Sequence, residues 1–201
     1  MLSLQRRAAT GLTFVSILLA SACAAANASD PPVVPDGRSE TTVYLIRHAE
    51  KMSEQDRDPD LSQRGRERAD SLAVQLRDSG VNMIIVTNLK RTMQTAAPLA
   101  RARHISPKMI PIEGTVEAHV ARVANEIKRH PGATILVVGH NNTIGKIVEE
   151  IGGGAIGDIC ADEYSNLIIV SIVKGRAVKS LLESYGLPDP PATSCPHLRD
   201  R

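Results

Sequence analysis

Short apolar runs rich in β-branched residues recur along the chain, each separated from the next by an amphipathic helical pattern. The runs fall at 42–46, 81–87, 134–138 and 166–173, with a weaker fifth at 178–184. Between them, Ala69, Leu72, Ala73 and Leu76 follow i, i+3, i+4, i+7, with Ser62 placed as an N-cap and Gly80 beyond the end. Met93, Ala96, Ala97 and Ala100 repeat the spacing, although Pro98 among them predicts a kink or restart. Val116, Val120, Val123 and Ile127 form a third stripe, ending near His130-Pro131-Gly132. Ile144, Ile147, Val148 and Ile151 form a fourth, stopped by the three glycines at 152–154. Strands alternating with helices of this length predict one α/β domain, a three-layer α/β/α sandwich with a mostly parallel central sheet.

The two ends of the chain read differently. Residues 1–28 contain no acid; Arg6 and Arg7 precede an apolar run at 11–20, followed by small residues. That is the layout of a secretory signal, so the protein is expected to be exported, periplasmic or secreted. Ala26-Asn27-Ala28 fits a cleavage site before Ser29, whereas Ala20-Ser21-Ala22-Cys23 resembles a lipoprotein box that would attach the chain to a membrane through lipidated Cys23. An uncleaved anchor is a third reading, with an apolar core short for a full span. The chain then divides into a signal peptide at 1–28, a Pro-containing extended linker at 29–40, a folded domain at 41–186 and an irregular Pro-rich tail at 187–201. Export leaves Cys160 and Cys195 in an oxidising compartment. A bridge between them would close a loop of about 36 residues and stabilise by roughly 3–4 kcal/mol in the chain-entropy model; two unpaired thiols are the alternative.

Composition removes several function classes. With 42% hydrophobic and 23% charged residues the chain is neither a polytopic membrane protein nor wholly disordered. Aromatics are 2% with no Trp, which leaves no stacking platform for single-stranded nucleic acid. The net charge of +2 comes from the two arginines of the first segment; without them the basic residues equal the 22 acids. No nucleic-acid partner is expected from that balance.

In open α/β sheets ligands bind beyond the carboxyl ends of the strands. The first run leads into Arg47-His48-Ala49-Glu50, the second into Thr87-Asn88-Leu89-Lys90-Arg91-Thr92, and the third into Gly139-His140-Asn141-Asn142-Thr143. Taken singly these are ordinary: an Arg-His pair on a surface, a Gly-His turn, and Asn142-Thr143 as an N-cap for the fourth helix. Brought together at one sheet edge, Arg47, Arg91, His48 and His140 make a cationic pocket suited to a phosphoryl group, the Arg forks binding its oxygens. A neutral His48, kept so by the nearby guanidinium groups, can attack phosphorus and form a phosphohistidine that water hydrolyses.

These residues resemble a known family. Arg47-His48-Ala49-Glu50 resembles the Arg-His-Gly or Arg-His-Ala signature of the histidine phosphatase superfamily, which includes the cofactor-dependent phosphoglycerate mutases. Leu61-Ser62-x-x-Gly65 with Ala69 resembles its next helix start, and Thr87-x-x-x-Arg91-Thr92-x-Gln94-Thr95-Ala96 with Pro98-Leu99-Ala100 its second-arginine motif. Val137-Val138-Gly139-His140 resembles its second-histidine motif. The resemblance spans about 42–186. It implies His48 as the phosphorylated nucleophile, with Arg47, Arg91 and His140 binding the phosphoryl group; Asn141, adjacent to His140, is a further candidate for binding it.

The general acid has two candidates. Many members carry a Glu between the second Arg and the second His; Glu113 is the first candidate here and Glu117 the second, although 112–115 does not match the usual motif, and a carboxylate at a helix start needs no catalytic role. Glu50 is either a pocket residue or a solvated one. Only 49 positions separate Arg91 from His140, where mutase-like members carry longer insertions, so an open pocket and hydrolysis are expected over retained phosphoryl transfer. His104, His119, His130 and His197 show no spacing that groups them as metal ligands; neither a metal nor another cofactor is expected. The sequence thus predicts a metal-independent phosphomonoesterase acting on a phosphorylated small molecule or phosphoprotein. A catalytically idle module that holds a phosphate-bearing ligand, and a phosphoryl-transferring mutase, are the alternatives.

Overall fold

The computed structural model describes residues 40–191 together with 195, 196 and 198. The signal peptide, Cys23 and the linker up to residue 39 lie outside the described residues. Six strands form one sheet: β1 (Glu40–Arg47), β2 (Met83–Val86), β3 (Lys108–Met109), β4 (Thr134–Gly139), β5 (Asn166–Val173) and β6 (Arg176–Ser184). Their order is β3-β2-β4-β1-β5-β6. The β3–β2, β2–β4 and β4–β1 pairings are parallel, while β5 and β6 join antiparallel on the far side of β1. The helices are α1 (Gln63–Gln75), α2 (Lys90–Arg103), α3 (Val116–Lys128) and α4 (Ile144–Glu150).

The three layers follow from side-chain alternation along the strands. Val43 and Leu45 of β1, with Ile135 and Val137 of β4, face a core built with Val120, Val123 and Ile127 of α3 and Ile144, Ile147 and Val148 of α4. Ile46, Leu136 and Val138 face the opposite core, with Leu72 and Leu76 of the first helical stripe and Ala96, Leu99 and Ala100 of α2. Both faces of the central strands are buried, which explains their near-continuous apolar runs.

Two helix starts and one helix interior test the local rules. Ser62 caps α1 as expected, its hydroxyl accepting from the Gly65 amide at 3.0 Å. Gly65 itself is required by close approach, because a Cβ there would overlap the Glu50 carbonyl. The helix does not restart at Pro98: α2 runs unbroken from Lys90 to Arg103. The proline forfeits one backbone hydrogen bond, and burial of Thr95, Ala96, Leu99 and Ala100 on either side of it outweighs that loss. The expected side-chain cap by Asn142-Thr143 is also corrected. Thr143 occupies the cap position of α4 without a capping bond; its hydroxyl instead accepts from the His140 amide at 3.0 Å.

A buried ion network pins α1 to the loop after β1 and to the segment after β6. Arg68 is fully buried, and its guanidinium reaches both Glu50 oxygens at 2.7–3.0 Å, the Tyr185 and Leu187 carbonyls at 3.1 and 2.8 Å, and Asp189 at 3.4 Å. Glu50 is therefore neither a cleft residue nor a solvated one; it is the counter-ion of Arg68, and the two arginines at 64 and 68 hold its carboxyl below the usual range against the opposing effect of burial. Removing Arg68 would leave the largely buried Glu50 with the exposed Arg64 as its partner and take the donor from the Tyr185 and Leu187 carbonyls. Arg68→Ala is expected to cost about 3–5 kcal/mol, measured as a lower urea midpoint at unchanged slope. A loss below about 1 kcal/mol would mean that the network is structurally idle.

Candidate active site

The parallel β1–β4 pairing places Arg47 opposite Gly139, so the next residue of each strand, His48 and His140, emerges side by side. The His48 amide donates to the Gly139 carbonyl at 2.9 Å, and the two imidazole centroids are 5.3 Å apart, edge to face. Arg91 arrives from the first turn of α2, which starts a few residues after β2. These four residues line one cleft of about 400 Å³, together with Asn141. The sheet thus brings together Arg47, His48, Arg91, His140 and Asn141. A wider groove of about 490 Å³, bordered by Arg66, Asp70 and Arg101, includes none of them.

Each side chain is held by identifiable partners. His48 Nδ1–H donates to the Ala49 carbonyl at 2.8 Å; because a carbonyl only accepts, that bond fixes the tautomer and leaves the Nε2 lone pair unprotonated. His140 Nε2 lies 3.2 Å from the Thr87 hydroxyl, which is bonded in turn to Thr92. Thr95 accepts from the Ala49 amide at 2.9 Å and donates to the Arg91 carbonyl at 2.6 Å, coupling the loop behind His48 to the turn carrying Arg91. Gln94 accepts from the Leu61 amide and donates to Asp60, tying α2 to the strand-to-helix loop before α1.

The arginines are prepared for an anion. Arg47 Nη1 sits among the Cys160, Ala161 and Glu163 carbonyls at 2.8–2.9 Å, Nη2 reaches the Tyr164 hydroxyl at 3.3 Å, and the guanidinium stacks 4.0 Å from the centre of the Tyr164 ring. Its Nε is buried with no hydrogen-bond partner among the described residues, and so is the Nε of Arg91. Two buried guanidinium edges without acceptors, converging on one cleft, are what a tetrahedral oxyanion would satisfy. With Nη1 engaged, Arg47 can offer an anion its Nε–Nη2 side. Burial lowers both arginine pKa values, the mutual repulsion of the pair adds to this at Arg91, and both side chains stay charged.

The same surroundings keep the imidazoles neutral. Burial first, then Arg47, His140 and Arg91, bring His48 down to about 2, against the Ala49 hydrogen bond that favours protonation. Burial, Arg91, His119 and Arg47 bring His140 down to about 3.

The loop that cradles Arg47 is fixed from the C-terminal side. Cys160 and Cys195 are disulfide-bonded, which answers the alternative left open by the sequence. The buried Glu163 carboxylate accepts from the Cys160 amide at 3.0 Å, Asn166 at 2.8 Å and the Leu198 amide at 2.6 Å. Asp189 accepts from the Tyr164 and Ser165 amides, so the ion network around Arg68 also bears on the residue under Arg47.

Neither sequence-predicted acid comes to the cleft. Glu113 is exposed on the loop before α3, its carbonyl accepting from Arg122 at 2.9 Å, and Glu117 is exposed and paired with Lys146 at 3.0 Å. Sequence reading missed His119, Lys51 and Glu54, which do line the cleft. His119 carried a usable signal, since a histidine in a helix one position from an apolar stripe is a buried polar group needing a reason. Among the described residues no three His, Cys, Asp or Glu side chains are grouped as metal ligands would be, and no helix is long and apolar enough to cross a membrane.

Fold and site together define an α/β protein with a cationic, histidine-lined cleft at the carboxyl ends of its parallel strands. The sequence pattern of the histidine phosphatase superfamily (branch 1) matches residues 43–114, the part holding Arg47, His48 and Arg91. Three solved structures share the fold. A mycobacterial glucosyl-3-phosphoglycerate phosphatase is 13% identical, covering 73% of this chain and 98% of its own at a TM-score of 0.57. The protein histidine phosphatase SixA, complexed with tungstate, is 17% identical over 72% of this chain and 95% of its own at 0.55. Bacillus stearothermophilus YhfR is 18% identical over 68% and 94% at 0.55. No curated protein sequence matches the chain at a significant level. The chain thus carries the pattern of that superfamily over residues 43–114 and shares its fold with these structures.

The depressed imidazoles make stability depend on pH. Folded His48 and His140 resist protonation that the unfolded chain accepts below about pH 6.5, so acidification favours the unfolded state. The contribution is complete above that value and is lost as pH falls towards the folded values of about 3 and about 2. Between pH 6 and 5 the ligand-free protein should lose up to about 1.4 kcal/mol per pH unit for each imidazole. Urea unfolding at pH 7, 6 and 5 measures this. A midpoint constant across the range, or an equal slope in a His48→Gln/His140→Gln double variant, would contradict it.

Proposed function

We propose that the chain is a metal-independent phosphomonoesterase that works through a covalent phosphohistidine on His48. The observation that carries this is the fixed tautomer of His48, which presents an unprotonated Nε2 beside two guanidinium groups with unpartnered Nε atoms. A phosphate monoester held by Arg47, Arg91, His140 and Asn141 meets Nε2 in line with its leaving oxygen. The Nε2 lone pair forms the P–N bond as the P–O bond breaks, and the leaving oxygen keeps the electron pair and takes a proton from water. The arginines stabilise the equatorial oxygens through the transfer. Water then releases orthophosphate.

Substrates named for the structural neighbours include a sugar-linked phosphoglycerate and, for SixA, protein phosphohistidine. What they share is a terminal phosphoryl group, and a phosphorylated small molecule or protein side chain is accordingly the substrate class proposed here. The short connection from β3 at Met109 to α3 at Val116 favours an open cleft reached by water, hence hydrolysis over mutase exchange. The basic, acid-free first 28 residues support an exported enzyme, either released after Ala28 or held at a membrane through Cys23.

The test compares the mature protein with His48→Ala on an aryl phosphate, with and without EDTA. Phosphate release should fall by at least about 1,000-fold in the variant, and chelation should leave the wild type unchanged. Activity equal in the two proteins would defeat the assignment. Reducing the Cys160–Cys195 bridge offers a second check. The Arg47 cradle should loosen, raising KM and the inhibition constant of tungstate several-fold with a smaller change in kcat. A lowered Tm with both constants unmoved would show that the bridge serves stability alone.

A further inference from the structure

The cleft holds a third imidazole that the reaction above leaves unused. His119 lies on the first turn of α3, between the stripe residues Val116 and Val120, and is 1% exposed, yet it lines the cleft with His48, His140 and both arginines. Burying an imidazole costs free energy unless its nitrogens are bonded. Only one is: Nδ1–H donates to the Pro111 carbonyl at 3.2 Å, an oxygen that Arg122 also reaches at 3.2 Å. A carbonyl can only accept, so the tautomer is fixed and Nε2 carries a lone pair. Nε2 has no hydrogen-bond partner among the described residues. It is the nitrogen left to meet whatever the cleft contains.

The charges around it favour the neutral form. Burial first, then Arg122 on the same helix, hold His119 below the ordinary imidazole value, against the Pro111 hydrogen bond that favours protonation. At neutral pH His119 is therefore a proton acceptor. The carboxylates give it no competition: Glu113 and Glu117 lie outside the cleft, and Glu54, which lines it, is paired with Lys51 at 2.6 Å.

We propose that His119 is the general base of the second half-reaction, a role that rests on His48 carrying the phosphoryl group. Water attacks phosphorus from the side vacated by the leaving group. Its oxygen bonds to phosphorus while the P–N bond to His48 breaks and that electron pair returns to His48 Nε2. The water proton passes to His119 Nε2, orthophosphate departs, and the proton on His119 is then lost to solvent. Every atom and charge is accounted for by water, the phosphoenzyme and the one imidazole.

A rapid-mixing experiment with p-nitrophenyl phosphate separates the two halves, because nitrophenolate leaves without help from an acid. His119→Gln should give a burst of about one nitrophenolate per active site at the wild-type rate. A steady state slowed about 100-fold should follow, with acid-labile phosphoenzyme accumulating on His48. His119→Glu should recover much of the turnover, now with an acidic limb near the carboxylate range. A His119→Gln kcat within threefold of wild type would overturn the proposal. So would a burst rate that falls in step with kcat and with tungstate affinity, which marks a structural defect. Failure of the parent reading looks different: wild-type protein would form no phosphoenzyme and His48→Ala would keep its activity, removing both.

Discussion

Everything at the site depends on the register between β1 and β4. Because Arg47 pairs with Gly139, the two strands deliver His48 and His140 to the sheet edge at the same level, 5.3 Å apart. The central parallel strands are buried on both faces, so a slip by one residue would drive the apolar sets of both cores out of place along with the imidazoles. The geometry of the cleft and the packing of the core are thus the same constraint.

The second constraint is charge. Two guanidinium groups and three histidines line one cleft, and the chain meets the cost mainly with dipoles and neutral imidazoles, Glu54 being the one carboxylate among the lining residues. Arg47 is bonded by three carbonyls and stacked on Tyr164; Arg91 has only a 3.4 Å contact to the Arg57 carbonyl and Asp58 at 4.0 Å. The histidines remain uncharged, and the Nε edges remain unsatisfied. A carboxylate against those edges would neutralise them but compete with an oxyanion. The observed arrangement forgoes stability in the free protein, which the proposed binding of an oxyanion would restore by linkage to the folded state.

How much of this was legible in the sequence follows from the range of the interactions. The four helical stripes and five of the strands are visible because period 3.6 and short β-branched runs are local signals; β3 is not, since Lys108 and Met109 are two exposed residues held at the sheet edge by pairing with β2. The positions of Arg47, His48, Arg91 and His140 could be read because each ends or directly follows a strand, or opens the helix after one. The Arg47 cradle could not, because its carbonyls lie 113–116 residues further along the chain. Pro98 misled because tertiary burial overrode a local propensity, and Glu113 because spacing along a sequence does not say which way an exposed loop carries its side chain.

The C-terminal segment shows why such distance matters to chemistry. The segment from 187 onward carries prolines and no periodic pattern, which reads as filler. In the structure Asp189 holds the Tyr164 and Ser165 amides, Leu198 packs into the core and bonds Glu163, and Cys195 is bridged to Cys160. All of these contacts converge on residues 160–165, the stretch whose carbonyls and aromatic ring orient Arg47. A guanidinium with five donors is useful for recognising an oxyanion only if the donors not meant for the ligand are committed elsewhere, and here they are committed to backbone. The loop must hold three carbonyls within hydrogen-bond distance of one nitrogen, a crowded arrangement that mutual repulsion of the oxygens opposes. Closing it with a covalent bridge and a buried carboxylate places the rigidity where the geometry is least able to hold itself.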